Sequence, residues 1–138
     1  MKLSSLKKYD SQKMFKIYDR WPEIAKKAYQ LDLKPISYTN VNNIIFSGMG
    51  GSGAIGDIFA SILSKSNIHV SIVKGYILPK TIDKNTLIVI TSVSGNTIET
   101  LTVLKEAKKL NCKIIAFSSG GKIEDFCIKN KIEYRKIK

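Results

Sequence analysis

Two short loops hold most of the residues in this chain that could do chemistry. The first, residues 48–53, has the sequence GMGGSG, and the second, residues 91–97, has the sequence TSVSGNT. Each follows an apolar, strand-like run (residues 43–47 and 86–90) and opens a helix-like stretch. A glycine-rich turn of this kind exposes backbone N–H groups at a helix N-terminus, where an anion is favoured. Two such turns, both rich in hydroxyls, indicate a small phosphorylated ligand held by amide and Ser/Thr donors rather than by charged side chains.

The glycine spacing of residues 48–53 also fits three other kinds of site. A dinucleotide site expects an acidic residue about 20 positions further on, at the end of the second strand. That strand ends at Lys74, which would suit a 2′-phosphate, so an NADP site stays open although it leaves the second loop unexplained. A nucleotide P-loop is excluded because no Gly-Lys-Ser/Thr follows the glycines. A hydrolase elbow needs a glycine where Ala54 stands, and the chain's one histidine, His69, is predicted to lie at a strand edge.

A purely structural interpretation of both loops is also available. Gly51 and Gly53 would then make a tight turn, and Ser52 would cap the helix that follows. Ser94 or Thr97 would likewise cap the next helix, whose first turn contains the acidic residue Glu99. This interpretation leaves unexplained why four hydroxyls crowd one rim of the predicted sheet: Ser52, Ser92, Ser94 and Thr97.

The elements that position these loops form an alternating pattern. Residues 12–31 are predicted to be helical, with Pro22 in the first turn of a second helix. After residue 43, five apolar strand-like runs alternate with helical stretches. One of these stretches has apolar residues at helical spacing: Ile55, Ile58, Phe59, Ile62 and Leu63. The prediction is an α/β three-layer αβα sandwich, with a five-stranded parallel sheet in the flavodoxin-like order 2-1-3-4-5, preceded by N-terminal helices. In that order, strands one and three meet at the switch point where ligands bind, and they are the strands that the two loops follow.

Composition places the charge away from the loops. The net charge is +12, from 23 basic and 11 acidic residues. Residues 41–102, which contain both loops, hold only 4 of the basic and 3 of the acidic residues. Almost all of the basic residues are lysines, which favours solvated lysine-rich surfaces over a nucleic-acid interface. Cys112 and Cys127 match no metal or redox motif, so they are predicted to be reduced thiols in a cytoplasmic protein without a membrane segment.

The two loops together resemble those of the sugar isomerase (SIS) domain. The sequences GMGGSG and TSVSGNTIET, with a leading segment that contains Met14-Phe15 and Trp21-Pro22-Glu23, resemble the N-terminal half of bifunctional phosphoglucose/phosphomannose isomerases. The resemblance implies a hexose 6-phosphate ligand, aldose–ketose isomerisation by ring opening and proton transfer, and no metal or redox cofactor. The positions that it assigns to binding the sugar phosphate are Gly51, Ser52, Ser92, Ser94 and Thr97.

The resemblance stops short of a complete isomerase. In that family the glutamate, histidine and lysine of the reaction lie in a second SIS half, and neither Glu99 nor His69 matches them, so no catalytic residue is assigned here. The implied organisation is a helical segment over residues 1–40 and one SIS domain over 41–138, with the second domain absent. The implied partner is a second SIS domain or a second copy, with no nucleic acid and no membrane. A non-catalytic sugar-phosphate sensor and a small homodimeric SIS isomerase stay open as alternatives.

Overall fold

A computed structural model of the chain describes residues 9–31 and 34–137. Its contacts divide the chain into two compact units, residues 1–37 and residues 38–138. Within the described residues, no helix combines the length and the apolar character that crossing a bilayer requires.

Among residues 10–31, the first unit contains the helices α1 (Phe15–Asp19) and α2 (Trp21–Tyr29). The Asp10 carboxylate accepts hydrogen bonds from the amides of Met14 and Phe15, both at 2.9 Å, and so satisfies two donors at the start of α1. Pro22 lies in the first turn of α2, as predicted, where a missing N–H costs the helix nothing.

The second unit is an α/β domain whose five strands alternate with helices. The strands are β1 (Asn43–Ser47), β2 (His69–Val73), β3 (Thr86–Ser92), β4 (Lys113–Ser118) and β5 (Glu133–Lys136). The helices are α3 (Gly51–Leu63), α4 (Ile98–Lys109) and α5 (Gly121–Asn130). All four strand pairings are parallel and the order is β2-β1-β3-β4-β5, which confirms the predicted topology.

The core lies on one face of this sheet, between the strands and helices α4 and α5. Its fully buried members are alternate strand residues together with inward residues of both helices: Ile45, Ile88, Ile90, Ala116, Val103, Leu104, Ala107, Ile123 and Cys127. Burial raises the pKa of the Cys127 thiol to about 11, so this group is a neutral core residue at physiological pH. The crossover from β2 to β3 adds Leu78 and Ile82 to the same layer.

Helix α3 lies on the opposite face, and Gly56 makes its close approach to the strands possible. A Cβ on Gly56 would lie 2.8 Å from Cβ of Phe46, and Phe46 points away from the neighbouring core residue Ile45. Both buried residues of α3 are glycines, Gly53 and Gly56. Four of the apolar residues that helical spacing aligns on α3 are exposed, and Leu63 is half-buried.

Candidate functional site

Both loops lie at the carboxyl ends of adjacent strands. The first loop (residues 48–53) follows β1, and the second (residues 91–97) begins with the last two residues of β3, which extends two residues beyond the predicted end at residue 90. Ser47, the last residue of β1, pairs with Ile90 of β3. The bases of the loops are in contact, because a Cβ on Gly48 would lie 2.9 Å from both the Thr91 carbonyl oxygen and the Ser52 backbone. The topology therefore brings the two hydroxyl-rich loops together at the switch point of the sheet.

The first loop turns sharply into α3. Gly50 has φ 54° and ψ −127°, a conformation that an L-residue rarely adopts. The Ser52 amide donates to the Met49 carbonyl at 3.1 Å, and the Gly53 amide donates to the Gly50 carbonyl at 3.0 Å. The amides of Met49, Gly50 and Gly51 donate to no other described residue. They are open donors at the positive end of a 13-residue helix.

The second loop is held by its own hydroxyls. Oγ of Ser92 lies 2.9 Å from Oγ1 of Thr97 and accepts the Gly95 amide at 3.2 Å. Ser92 is buried, whereas Ser94 is exposed and its Oγ accepts the Asn96 amide at 3.2 Å. Either hydroxyl of the Ser92–Thr97 pair can be the donor, and when Ser92 donates, the hydroxyl hydrogen of Thr97 is available to a ligand. The hydroxyl of Ser94 accepts the Asn96 amide and keeps its own hydrogen for a ligand.

The start of α4 adds further open donors. Thr97 is the N-cap, with extended backbone (φ −61°, ψ 117°), and its side chain caps no amide of the helix. The amides of Ser94, Ile98 and Glu99 donate to no other described residue. The simple capping interpretation therefore does not account for Thr97, whose hydroxyl is turned to Ser92 instead.

A third loop, which the sequence interpretation missed, braces the second one. It comprises residues 118–121 (SSGG), from the last residue of β4 to the first residue of α5. The Ser119 amide donates to the Val93 carbonyl at 2.9 Å, and the Lys122 amide donates to Oδ1 of Asn96 at 3.1 Å. The signal was present, since this is again a Ser/Gly run between a strand and a helix.

The described residues around the loops offer few charges. Nζ of Lys74, just past the end of β2, lies 2.6 Å from Oδ2 of Asp57 on α3, and its aliphatic stem covers Gly53. Glu99 lies in the first turn of α4. Desolvation, and after it the nearby Glu99 carboxylate, raises the pKa of the Tyr76 hydroxyl. A groove of about 490 Å³ begins beside Lys74 and is lined by residues 72–79.

The chain's histidine lies far from these loops. His69 begins β2 at the amino edge of the sheet and is exposed, as predicted. The other four residues of β2 separate it from the carboxyl edge, about 13 Å at the usual rise per residue. His69 is therefore outside the reach of a ligand bound at the loops.

Comparison with known proteins shows the family of this chain. The family model described as SIS domain matches residues 37–124, more than half of the chain. The chain belongs to the SIS-domain family. It is 36% identical to a bifunctional phosphoglucose/phosphomannose isomerase of Caldicellulosiruptor bescii over 122 residues, which cover 85% of this chain and 36% of the relative. A D-glucosamine-6-phosphate 4-epimerase of Sulfolobus acidocaldarius is 33% identical over 81% of this chain and 35% of its own length.

The fold also matches solved SIS structures. A hypothetical protein of Methanococcus jannaschii, whose structure was taken to imply 3-hexulose-6-phosphate isomerase activity, superposes with a TM-score of 0.57 and 31% identity. The match covers 70% of this SIS chain and 52% of that one. The chain spans about a third of the length of the curated relatives it matches, 36% and 26% for the first two.

Proposed function

We propose that this SIS domain binds the phosphate of a hexose 6-phosphate between its first and second loops. The observation that carries the proposal is the convergence of open amides from two helix starts, α3 and α4, with the exposed hydroxyl of Ser94 and the hydroxyl of Thr97 beside them. Such donors stabilise a dianion through charge-assisted hydrogen bonds and the helix dipoles. Membership of the SIS family, with relatives named for sugar-phosphate chemistry, supports a phosphosugar over other anions.

Within this proposal the five predicted residues have different roles. Gly51 would offer its amide, and Ser52, Ser94 and Thr97 would donate their hydroxyl hydrogens. Ser92 would orient Thr97, because its Oγ already accepts the Gly95 amide and lies against Oγ1 of Thr97. Residues 1–40 would form a helical preamble to this SIS domain.

We further propose that the chain is the phosphate-binding half of an aldose–ketose isomerase and turns over no substrate alone. The described residues that form the loops include no histidine, lysine or carboxylate that could move a proton between C1 and C2 of a bound sugar. A second SIS domain or a second copy would supply those groups. The two free, partly or fully buried cysteines fit a reducing compartment, and we place the protein in the cytoplasm on that ground.

The reaction itself depends on groups outside these loops. One relative is named as an isomerase and another as a 4-epimerase, although both are similar to this chain over four fifths of its length or more. A phosphate-binding site is compatible with either reaction, because it holds the phosphate ester while other residues contact C1 to C4 of the sugar. A 4-epimerase half is therefore the second candidate function.

Calorimetric titration with glucose 6-phosphate tests the proposal. We expect saturable binding, and we expect Ser94→Ala to weaken it by about 1–3 kcal/mol, roughly 5- to 150-fold in Kd, because one hydrogen bond to a charged group is lost. Ser61→Ala is the matched control, since Ser61 is an exposed serine near the opposite end of α3 and should leave Kd unchanged.

The comparison with glucose separates phosphate recognition from sugar recognition. Glucose alone should show no measurable heat under the same conditions, and a coupled assay should show no turnover by the purified chain. Equal binding by the wild type and Ser94→Ala would contradict the role of the second loop. Turnover by the chain alone would contradict the assignment as a half-enzyme.

A further inference from the structure

Asn96 is an exposed residue of the second loop whose side chain is bonded at both ends. Its Oδ1 accepts the Lys122 amide at 3.1 Å, and its Nδ2 donates to the Ser94 carbonyl at 3.1 Å. The partners fix the orientation of the carboxamide, because one of them is an N–H and the other is a carbonyl. Lys122 lies 26 residues further along the chain, so this one side chain connects the second loop to the start of α5.

The start of α5 depends on this connection, because its N-cap is Gly120, a residue without a side chain. A capping side chain accepts the amide of the second or third helical residue. In α5 these residues are Lys122 and Ile123, and their amides donate to Oδ1 of Asn96 and, at 3.0 Å, to the Gly95 carbonyl. The second loop therefore caps α5 from outside the helix.

Gly121 shows how closely the second loop is seated on α5. A Cβ at this position would lie 2.8 Å from both Oδ1 of Asn96 and the Ser94 carbonyl oxygen. Gly121 also has φ +74°, a conformation that favours glycine. The Asn96 carboxamide and the Ser94 carbonyl therefore fill the space that a side chain would occupy, and the loop lies directly on the helix start.

Asn96 also holds both polar groups of Ser94. Its backbone amide donates to Oγ of Ser94 at 3.2 Å, and its side chain donates to the Ser94 carbonyl. Ser94 is exposed, so without these contacts its hydroxyl would sample several rotamers, and a bond to a ligand would cost that freedom. With them, Oγ accepts from Asn96 and its own hydrogen is directed elsewhere.

We propose that Asn96 is a positioning residue of the phosphate site and acts on a bound ligand through Ser94. The carboxamide holds the Ser94 carbonyl and the start of α5 in one arrangement, so the Ser94 hydroxyl is presented in a fixed direction. This role needs a donor and an acceptor in one side chain, and a carboxylate supplies the acceptor alone. The inference rests on the proposed function, because it takes the phosphate to lie against Ser94.

A double-mutant cycle with Ser94 tests this role by calorimetry. Asn96→Ala should raise the Kd for glucose 6-phosphate at least about fivefold, the equivalent of one hydrogen bond. In the Ser94→Ala background the same substitution should change Kd less than about twofold, because the hydroxyl through which it acts is gone. Asn130→Ala is the matched control, since Nδ2 of Asn130 donates to the Phe126 carbonyl at 2.8 Å at the other end of α5. It loses a comparable hydrogen bond and should leave Kd unchanged.

Hydrogen exchange of the ligand-free chain tests the cap on α5 separately. Asn96→Ala should speed the exchange of the Lys122 amide about tenfold or more, because its acceptor is removed, whereas Asn130→Ala should leave that rate unchanged. Asn96→Asp should fold and keep this exchange slow, since a carboxylate also accepts an amide at a helix N-terminus. It should still raise Kd, because it has no hydrogen for the Ser94 carbonyl. Circular dichroism would confirm that each variant folds.

The outcomes separate this inference from the proposed function. Additive effects of Asn96→Ala and Ser94→Ala on Kd, or wild-type affinity in Asn96→Ala, would overturn the positioning role and leave the phosphate site in place. An unchanged exchange rate of the Lys122 amide in Asn96→Ala would also overturn it. A wild type that binds no glucose 6-phosphate would overturn the proposed function and the positioning role with it.

Discussion

Replacing Gly95 with alanine should cost the domain at least about 3 kcal/mol of unfolding free energy, or prevent folding altogether. Gly95 has φ +66°, and a Cβ there would lie 1.7 Å from the Gly120 carbonyl oxygen. The alanine therefore incurs a left-handed backbone penalty and also forces the second and third loops apart. Chemical denaturation monitored by circular dichroism measures the loss.

Two other glycines separate these contributions. Gly50 also has a positive φ, of 54°, but nothing lies within 4 Å of its Cβ position. Gly50→Ala should therefore lower the unfolding free energy by about 1–3 kcal/mol through backbone strain alone. Gly75 has open space and no positive φ, so Gly75→Ala should change stability little. A Gly95→Ala variant no less stable than Gly50→Ala would show that the second and third loops do not meet as described.

Replacing Gly48 with alanine should damage stability and ligand binding together. Its Cβ would lie 2.9 Å from backbone atoms of Ser52 and from the Thr91 carbonyl oxygen, and backbone atoms cannot move aside as a flexible side chain can. We expect a loss of about 1–3 kcal/mol of unfolding free energy from overpacking. The same displacement moves the first loop away from the second, so the Kd for glucose 6-phosphate should rise by more than tenfold.

Gly51→Ala provides the stability control for this variant. Gly51 begins α3 with nothing within 4 Å of its Cβ position, and alanine is the better helix former, so unfolding free energy should stay level or rise. Urea denaturation of both variants would compare their unfolding free energies, and calorimetry on the same preparation of Gly48→Ala would give its affinity for glucose 6-phosphate. A Gly48→Ala protein that retains wild-type affinity would mean that the two loops do not act on one ligand.

The sheet and the position of the loops could be predicted because the relevant signals are local. Continuous apolar runs such as residues 87–90 indicate strands buried on both sides, and helical stretches between them require parallel pairing. The handedness of crossovers then leaves few strand orders, and the adopted one places the ends of β1 and β3 side by side. The confirmed fold therefore followed from patterns that a single sequence contains.

The orientation of α3 could not be predicted in the same way. Helical spacing identifies the ridge of Ile55, Ile58 and Ile62, but it does not say whether that ridge faces the sheet. Gly56 determines which side of α3 faces the sheet. It allows the helix backbone to approach Phe46 so closely that a residue with a Cβ would not fit. That approach is a property of two elements packed together and has no signature in either one alone.

The distinct roles of the hydroxyls were likewise beyond the sequence. Ser92 and Ser94 look equivalent in the motif, yet one is buried against Thr97 and the other is exposed. The difference arises because Gly95, with its positive φ, turns its amide back onto Ser92. The path of the loop, rather than its composition, determines which hydroxyls face a ligand.

The central claim is that one phosphate is held by both loops at once. A crystal structure of the chain with glucose 6-phosphate tests this claim most directly. The account predicts phosphate oxygens about 3 Å from amides or hydroxyls of the first loop and, in the same molecule, of the second loop. A phosphate bound elsewhere, or held by one loop while the other points away from it, would contradict the account.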